Sequence, residues 1–435
     1  MAKHSKKQHA GRTTTVRHGR LPRSSTVRNL FRTVLTMVVV AVLSAGTVAA
    51  YAIWDLRNRV QTVDLADEDV TGAKLSQHAL DGAINILVVG SDSRVGQSID
   101  DGETGELNDV TMLVRISEDH KRATVVSFPR DLMLPIPSCP GPAGEENYYP
   151  ASSEQQLNSV LQYGLPCVVE TVEALTGADI SYAGMIGFDG VINMSNALGG
   201  VTVCLAQPIQ DPNADLDLPA GEVTLKGYEA LQFLRTRHGV GDGSDLGRIS
   251  NQQVFLSAMA RQLQSASTLT DPVKVYQLAK AAVENMTLSR NIASVDFLRG
   301  LAKTLSEVDL GNVNFVQYPA LPHPYQEGRL TPDTYNGELL MQRILNDEDF
   351  TITDQGVAAV DVAEVEGEQA ADNEGGSAAG EAAPDAAAQP EAAEGATEEF
   401  GGDEADNLNQ QQANPSNVTG LNAAKPTCAA GRVNY

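Results

Sequence analysis

Ile84–Asp131 reads INILVVGSDSRVGQSIDDGETGELNDVTMLVRISEDHKRATVVSFPRD. Three short apolar runs, INILVVG (Ile84–Gly90), TMLVRI (Thr111–Ile116) and ATVVSF (Ala123–Phe128), each border a polar loop. Runs of this length without strict alternation suit strands buried on both faces. Downstream the apolar period becomes helical and predicts helices over Ser153–Tyr163, Val168–Thr176, Asp189–Leu198, Leu225–Arg235, Ser250–Ala266, Pro272–Met286 and Ile292–Leu305. Further strands are expected near Gly184–Phe188, Val201–Leu205 and Val313–Tyr318. Strands interleaved with helices give an α/β class, a mixed sheet sandwiched between helices (α/β/α). Ligands in such sheets collect where loops leave strand ends, and the polar motifs lie there. GSDSR (Gly90–Arg94) follows the first run, Asn108 and Asp109 precede the second, and FPRD (Phe128–Asp131) ends the third. With the first and third strands parallel and the second antiparallel, Asp92 and Asp109 share one edge. Two carboxylates there suit Mg²⁺, which takes one or two and completes its shell with water and phosphate oxygens. The alternative is that Asp92 caps a turn and Asp109 caps a strand or pairs with Arg94.

The ends of the chain set topology. Residues 1–32 hold nine Lys or Arg and no acid, and Thr33–Trp54 is an uncharged, largely apolar run. A helix of roughly 20 such residues spans a bilayer core. The basic flank is expected to stay cytoplasmic, placing the rest of the chain outside. The rival is a cleaved signal peptide, but the run exceeds the usual apolar length of one. The expected organisation is a basic cytoplasmic segment (1–32), a transmembrane helix (33–54), an extracellular linker (55–81), one domain (82–350) and an acidic low-complexity tail (351–435) carrying Cys428. Asp354–Asp406 holds sixteen acids and no Lys or Arg. It is expected to be a disordered, solvated spacer, with no folded extension beyond the domain. The whole chain carries −25 formal charges, which opposes nucleic-acid binding despite the basic N-terminus.

Four cysteines, Cys139, Cys167, Cys204 and Cys428, fall on the external side. An even count in an oxidising compartment suggests two disulfides, with three possible connectivities. Pairing Cys139 with Cys167 closes a Pro/Gly-rich loop and leaves Cys204 for Cys428. No CxxC spacing or His pair supports zinc.

In the second half, Leu231–Gln253 (LQFLRTRHGVGDGSDLGRISNQQ) places Arg235, Arg237 and Arg248 within fourteen residues. Guanidinium forks crowded together in an acidic chain suit a phosphate or pyrophosphate. Surface ion pairs with Asp242 and Asp245 are the mundane reading. Arg248 and Gln252, four apart, share a helix face, while Arg235 and Arg237 end the preceding helix, where the dipole favours cations in any case. Pro129 stiffens the backbone before Arg130 and Asp131.

GSDSR, Asp109, SFPRD (Ser127–Asp131), NALGGVTV (Asn196–Val203), LPAGEVTLKGYEALQFLRTRH (Leu218–His238) and SDLGRISNQQVFL (Ser244–Leu256), in this order, resemble the LytR-CpsA-Psr family of cell-wall polymer ligases. The resemblance covers roughly Ala83–Leu263. It implies a membrane-anchored phosphotransferase that moves a glycopolymer from a polyprenyl-pyrophosphate carrier to a peptidoglycan acceptor. Asp92 and Asp109 would then bind Mg²⁺ or Mn²⁺, and Arg94, Arg130, Arg235, Arg237 and Arg248 would grip the pyrophosphate. Asp245 and Gln252 would complete the pocket, Asn158 is a further candidate, and the helices at Val254–Leu263 and Asp189–Leu198 would wall a lipid channel. Asp131 and Asp109 are the acidic candidates for a general base. The loop between Asp92 and Asp109 is longer and more acidic than the family's usual link, so Asp100, Asp101 and Glu103 compete for the metal. Two other functions fit the same motifs: a non-catalytic polyprenyl-pyrophosphate binder that regulates envelope assembly, and a pyrophosphatase. No GxSxG elbow or paired histidine supports a serine or cysteine nucleophile.

Overall fold

The computed structural model describes residues 26–59, 61–65, 82–95, 97–99, 105–141, 144–264, 272–292, 295–362, 415 and 418–432. The chain divides into two compact units, Met1–Asp55 and Leu56–Tyr435. Of the first, the described part is helical: α1 (Thr26–Arg59) runs beyond the predicted 33–54 at both ends. Its Thr26–Val48 stretch is long and apolar enough to cross a membrane.

In the second unit β1 (Gln61–Val63), β2 (Ile84–Ser91), β3 (Asn108–Ile116) and β4 (Ala123–Phe128) precede two small antiparallel pairs, β5 (Met133–Ile136) with β8 (Ser152–Gln156) and β6 (Cys139–Gly141) with β7 (Gly144–Tyr149). There follow a 3-10 segment (Leu157–Tyr163), α2 (Leu165–Thr176), β9 (Tyr182–Ile186), α3 (Phe188–Leu198), β10 (Val201–Leu205), β11 (Ile209–Asp211), β12 (Leu216–Leu218), β13 (Gly221–Leu225) and α4 (Tyr228–Arg235). The rest comprises α5 (Asp245–Gln264), α6 (Pro272–Asn285), β14 (Met286–Ser289), α7 (Val295–Glu307), β15 (Val313–Gln317), β16 (Ala320–Pro322), β17 (Leu330–Pro332), α8 (Thr334–Leu345), β18 (Ala359–Asp361), β19 (Gly420–Asn422) and β20 (Thr427–Ala429).

Eight strands form the main sheet in the order β1-β14-β9-β2-β3-β4-β15-β19. β3 is antiparallel to both β2 and β4, so those two run the same way and Asp92 and Asp109 meet at one end, as expected. Leu87, Val89, Leu113, Val126 and Phe128 pack on one side with Val168 and Val172 of α2 and Leu340 and Ile344 of α8. On the other side Ile84, Ile86 and Ile116 meet Ile292 and Phe297, and Ala123 and Val125 meet Val308. Burial on both faces explains why these runs lack alternation. A second sheet, β13-β10-β20-β18, packs Val201, Val203 and Leu205 against Phe233 of α4 and Val254 and Phe255 of α5.

Four expectations change. The segment expected as a linker (55–81) holds the end of α1 and then β1, which adds to the main sheet beside β14, with Leu65 buried in the core. The helix expected over Ser153–Tyr163 is a strand, β8, followed by the 3-10 segment; polar Ser152–Gln156 pairs with β5, and Gly164 ends the turn. Helix α8 was not expected, although Asp333 caps it by accepting from the Asn336 backbone N–H at 3.1 Å. The domain does not stop at Phe350. β19 extends the main sheet beside β15, while β18 and β20 complete the second sheet, so folded structure does lie beyond the acidic segment. These strands of three residues are too short to stand out, and β19 and β20 are set apart from the domain by the acidic stretch. Residues 363–414 lie outside the described residues.

Candidate active site

The floor of the site is the end of the sheet where β2, β3 and β4 leave their loops. The ladder between β2 and β3 shifts at Gly90/Ser91. The strands close up there because a Cβ on Gly90 would stand 2.9 Å from that of Val110. Asp92 and Leu107 then bond reciprocally: the Asp92 N–H donates to the Leu107 carbonyl at 3.0 Å, and the Leu107 N–H donates to Asp92 Oδ1 at 2.8 Å. This ties off the acidic loop, whose Asp100, Asp101 and Glu103 lie outside the described residues. Burial raises the Asp92 carboxyl above its ordinary value; the Leu107 bond opposes this and the charge of Asp109 adds to it.

Arg130 occupies the centre. Its Nη1 bonds Asp109 Oδ1 at 2.5 Å, and its backbone N–H donates to Asp245 Oδ2 at 3.1 Å. Burial works against its charge, but Asp109, Asp245 and Asp131 outweigh that and hold it above its ordinary value. Arg248 is buried, pairs with Asp245 Oδ1 at 2.6 Å and donates to the Asp109 carbonyl at 3.0 Å. Burial pulls its proton affinity down; Asp245 and Asp109 resist, while Arg130 and Arg237 press in the same direction as burial. The Nε–H groups of Arg130, Arg237 and Arg248 are buried and have no hydrogen-bond partner among the described residues. Crowded guanidiniums with orphaned donors are what an anionic ligand would satisfy.

Arg94 and Arg235 join from the rim. Both lie over the Phe188 ring, at 4.7 and 4.6 Å from its centroid. Arg94 Nη1 also donates to the Asp92 carbonyl. Phe188 is fixed by a clasp at the start of α3: the Asp189 N–H donates to Gln97 Oε1 at 2.8 Å, and the Ser98 N–H to Asp189 Oδ2 at 2.7 Å. On the other side α5 grips the end of α4. Asn251 donates to the Phe233 carbonyl at 2.7 Å and Gln252 to the Leu234 carbonyl at 3.1 Å, so Gln252 braces Arg235.

The loop carrying Arg237 is held by two groups that the sequence did not single out. Asp211 Oδ2 accepts from Thr236 Oγ1 at 2.6 Å and from the N–H groups of Arg237 at 3.2 Å and His238 at 3.1 Å. Burial alone would raise the Asp211 carboxyl, but these bonds and that from Asn213 hold it below its ordinary value. From the other direction, the Arg432 N–H donates to the Gly239 carbonyl at 3.0 Å and the Gly241 N–H to the Ala430 carbonyl at 3.3 Å. Gly241 has φ of +49°, and a Cβ there would come within 2.8 Å of the Val357 carbonyl. Cys428, two residues before Ala430, is joined to Cys204, and Cys139 to Cys167.

Asp131 Oδ1 accepts from Gln156 at 2.5 Å and Arg329 at 2.7 Å. These bonds fix Oδ1 only; Oδ2 faces Arg130 Nε at 3.7 Å and Arg237 Nη2 at 3.9 Å. Arg329 and Phe188 carry no motif that a sequence reading can catch, because each acts through residues far along the chain. Asn158 is buried beside the cluster, its backbone N–H donating to the Arg130 carbonyl at 3.1 Å. Arg130 and Arg248 thus share Asp109 and Asp245, and Arg235 reaches them through Phe188, Arg94 and Asp92. Val254, Phe255 and Ala258, expected to wall a channel, are buried in the second core with Leu198.

The site thus belongs to a mixed α/β domain in which Arg94 and Arg130 at strand ends and Arg235, Arg237 and Arg248 of the α4–α5 segment lie among Asp92, Asp109, Asp131 and Asp245. The chain belongs to the LytR_cpsA_psr family, whose model matches residues 53–341. It is 28% identical over 375 residues to the cell wall biosynthesis protein LcpA of Corynebacterium glutamicum, covering 78% of this chain and 70% of that protein. It is 26% identical over 298 residues to the polyisoprenyl-teichoic acid–peptidoglycan teichoic acid transferase TagT of Bacillus subtilis, covering 65% of this chain and 86% of that one. In fold it is similar to the LytR-Csp2A-Psr enzyme from Actinomyces oris, with a TM-score of 0.50 and 22% identity over 66% of this chain and 96% of that one.

Proposed function

We propose that this chain is a membrane-anchored phosphotransferase that moves a glycopolymer from a polyprenyl-pyrophosphate carrier onto peptidoglycan, forming a phosphodiester and releasing polyprenyl phosphate. The observation that carries the reading is the arginine cluster, where Arg130, Arg237 and Arg248 present buried, unpartnered Nε–H groups among carboxylates. The similarity to LcpA, a cell wall biosynthesis protein, and to TagT, a teichoic acid transferase, supports a glycopolymer transferase acting on the cell wall. The basic residues before the apolar stretch support an N-terminus in the cytoplasm and a catalytic domain outside.

In this reading Arg130, Arg237 and Arg248 grip the diphosphate from the floor, and Arg94 and Arg235 close on it from the rim. An acceptor hydroxyl forms a new bond to the sugar-proximal phosphorus. The bond from that phosphorus to the bridging oxygen breaks, and the hydroxyl proton is released. The guanidiniums, already oriented, meet the charge that grows on the leaving phosphate.

Asp92 and Asp109 fit a divalent cation. Asp92 is raised by burial and by its neighbour's negative charge, a penalty that a cation between them would relieve. Two carboxylates would leave the rest of an Mg²⁺ or Mn²⁺ shell to water and phosphate oxygens. Such an ion, when bound, would neutralise phosphate charge as a Lewis acid.

The test incubates the full-length protein in detergent micelles with lipid-linked glycan, Mg²⁺ and peptidoglycan. Wall-bound product from wild type, and none from Arg130→Ala or Arg235→Ala proteins that remain folded, is the expected result. Free glycan phosphate would mean a pyrophosphatase. Binding without turnover would mean a regulator.

A further inference from the structure

The two oxygens of Asp131 do different things. Oδ1 is held by Gln156 at 2.5 Å and by Arg329 Nη1 at 2.7 Å. Oδ2 faces Arg130 Nε at 3.7 Å and Arg237 Nη2 at 3.9 Å, near enough to offset their charge but beyond hydrogen-bonding reach. Arg130 and Arg237 correspondingly keep unpartnered Nε–H groups. A buried carboxylate beside two guanidiniums would ordinarily close on them in bidentate pairs. Something therefore holds Asp131 back.

Of the two holding groups, Gln156 is a neutral amide at the end of β8, and the charged one, Arg329, comes from the turn between β16 and β17. The Leu330 N–H donates to the Asp131 carbonyl at 3.1 Å, and Leu132 bridges to Leu330, so the hairpin is bolted to the Arg130–Asp131 loop through its backbone. Within the turn the His323 N–H donates to the Arg329 carbonyl at 2.9 Å and the Arg329 N–H to that of Gln326 at 3.1 Å. With the hairpin anchored this way, the Arg329 side chain is not needed to dock it, and a half-exposed ion pair adds little stability.

We infer that Arg329 is a positioning residue: by tethering Asp131 Oδ1 it keeps Asp131 from capturing Arg130 and Arg237, whose guanidiniums stay out of close ion pairs with it and available to the diphosphate. The inference rests on the pyrophosphate reading of the site. With Arg329→Gln, Asp131 swings onto the two arginines and competes with ligand.

Full-length protein in detergent micelles is titrated with inorganic pyrophosphate by calorimetry, alongside thermal unfolding by circular dichroism. Arg329→Gln should bind about 10- to 100-fold more weakly, the usual cost of losing an orienting partner behind a site, with its melting temperature unchanged. Arg329→Lys should recover much of the affinity. The distinguishing readout is suppression. Adding Asp131→Asn to Arg329→Gln removes the competing charge and should restore part of the binding, which a purely structural role would not allow. Wild-type affinity in Arg329→Gln, or a double variant no better than the single one, overturns the proposal. A wild-type protein that does not bind pyrophosphate overturns the anion site itself, and this proposal with it.

Discussion

Replacing Cys204 and Cys428 by serine should weaken both the fold and the anion site, whereas replacing Cys139 and Cys167 should weaken the fold alone. The bridges span sequence separations of 224 and 28 residues and do not overlap, so each restricts its own loop in the unfolded chain. The chain-entropy relation gives about 5.4 kcal/mol for the long loop and about 3.6 kcal/mol for the short one. Both are upper figures for what removal costs. The bridges differ more in what they hold. Cys139 and Cys167 lie in the main core, whereas Cys428 sits opposite Cys204 in the β10–β20 ladder, with Ala430 and Arg432 bonded to Gly241 and Gly239 just beyond. With β20 released, ligand must re-order the loop that carries Arg237. Fixing even one residue costs about 1–2 kcal/mol, which corresponds to roughly 5- to 30-fold in affinity. Stability should be followed by far-ultraviolet circular dichroism in guanidinium, because the single tryptophan, Trp54, lies in α1. Pyrophosphate affinity should be measured by calorimetry. Unchanged affinity in the Cys204→Ser/Cys428→Ser protein would refute the argument that the C-terminal strand shapes the arginine loop.

Asp211→Asn should destabilise the fold by roughly 1.5–3 kcal/mol, the range for hydrogen bonds to a charged group. Because the folded carboxyl lies below its ordinary value, this stability is present above the ordinary aspartate range and is lost as pH falls through the folded value. Denaturation midpoints of wild type and variant should therefore converge in acid, and a gap that persists there contradicts the assignment. Phe188→Leu keeps bulk but removes the ring under Arg94 and Arg235; at about 0.5–1 kcal/mol per cation–π contact, pyrophosphate binding should weaken several-fold while circular dichroism stays unchanged. Mg²⁺ should raise the pyrophosphate affinity of wild type and leave that of Asp92→Asn unmoved; equal enhancement in both proteins would exclude Asp92 as a metal ligand.

The floor of the site was legible because its residues stand at the ends of apolar runs, where strand period and loop position are both visible in sequence. Asp92, Asp109 and Arg130 are placed by that pattern alone. Arg248 and Gln252 followed from helical spacing, although Gln252 turns out to brace the α4 carboxyl end. What escaped were partners contributed from far along the chain. Asp211 sits on a strand of three residues, Arg329 in a turn, and Arg432 beyond an acidic stretch that composition sets apart from the domain. None has a periodic signal, and the contact that gives each its meaning exists only once distant segments pack. Cys428 was the one hint that the chain returns after that stretch.

The way the cluster is neutralised explains why it can wait for a ligand. Arg94, Arg130, Arg235, Arg237, Arg248 and Arg329 are interleaved with Asp92, Asp109, Asp131 and Asp245, which leaves a small positive surplus in a chain of net charge −25. Without those carboxylates the guanidiniums would repel one another at the cost of the fold; with too close a pairing they would have no donors left. The distances show a compromise. Arg130 and Arg248 each spend one nitrogen on a short ion pair, at 2.5 Å to Asp109 and 2.6 Å to Asp245, while their Nε–H groups remain unmet. In the proposed reaction a phosphate oxygen arriving there would meet donors already oriented by these ion pairs. Little would then reorganise as charge moved onto the leaving group, the condition under which fixed dipoles and charges lower a barrier most.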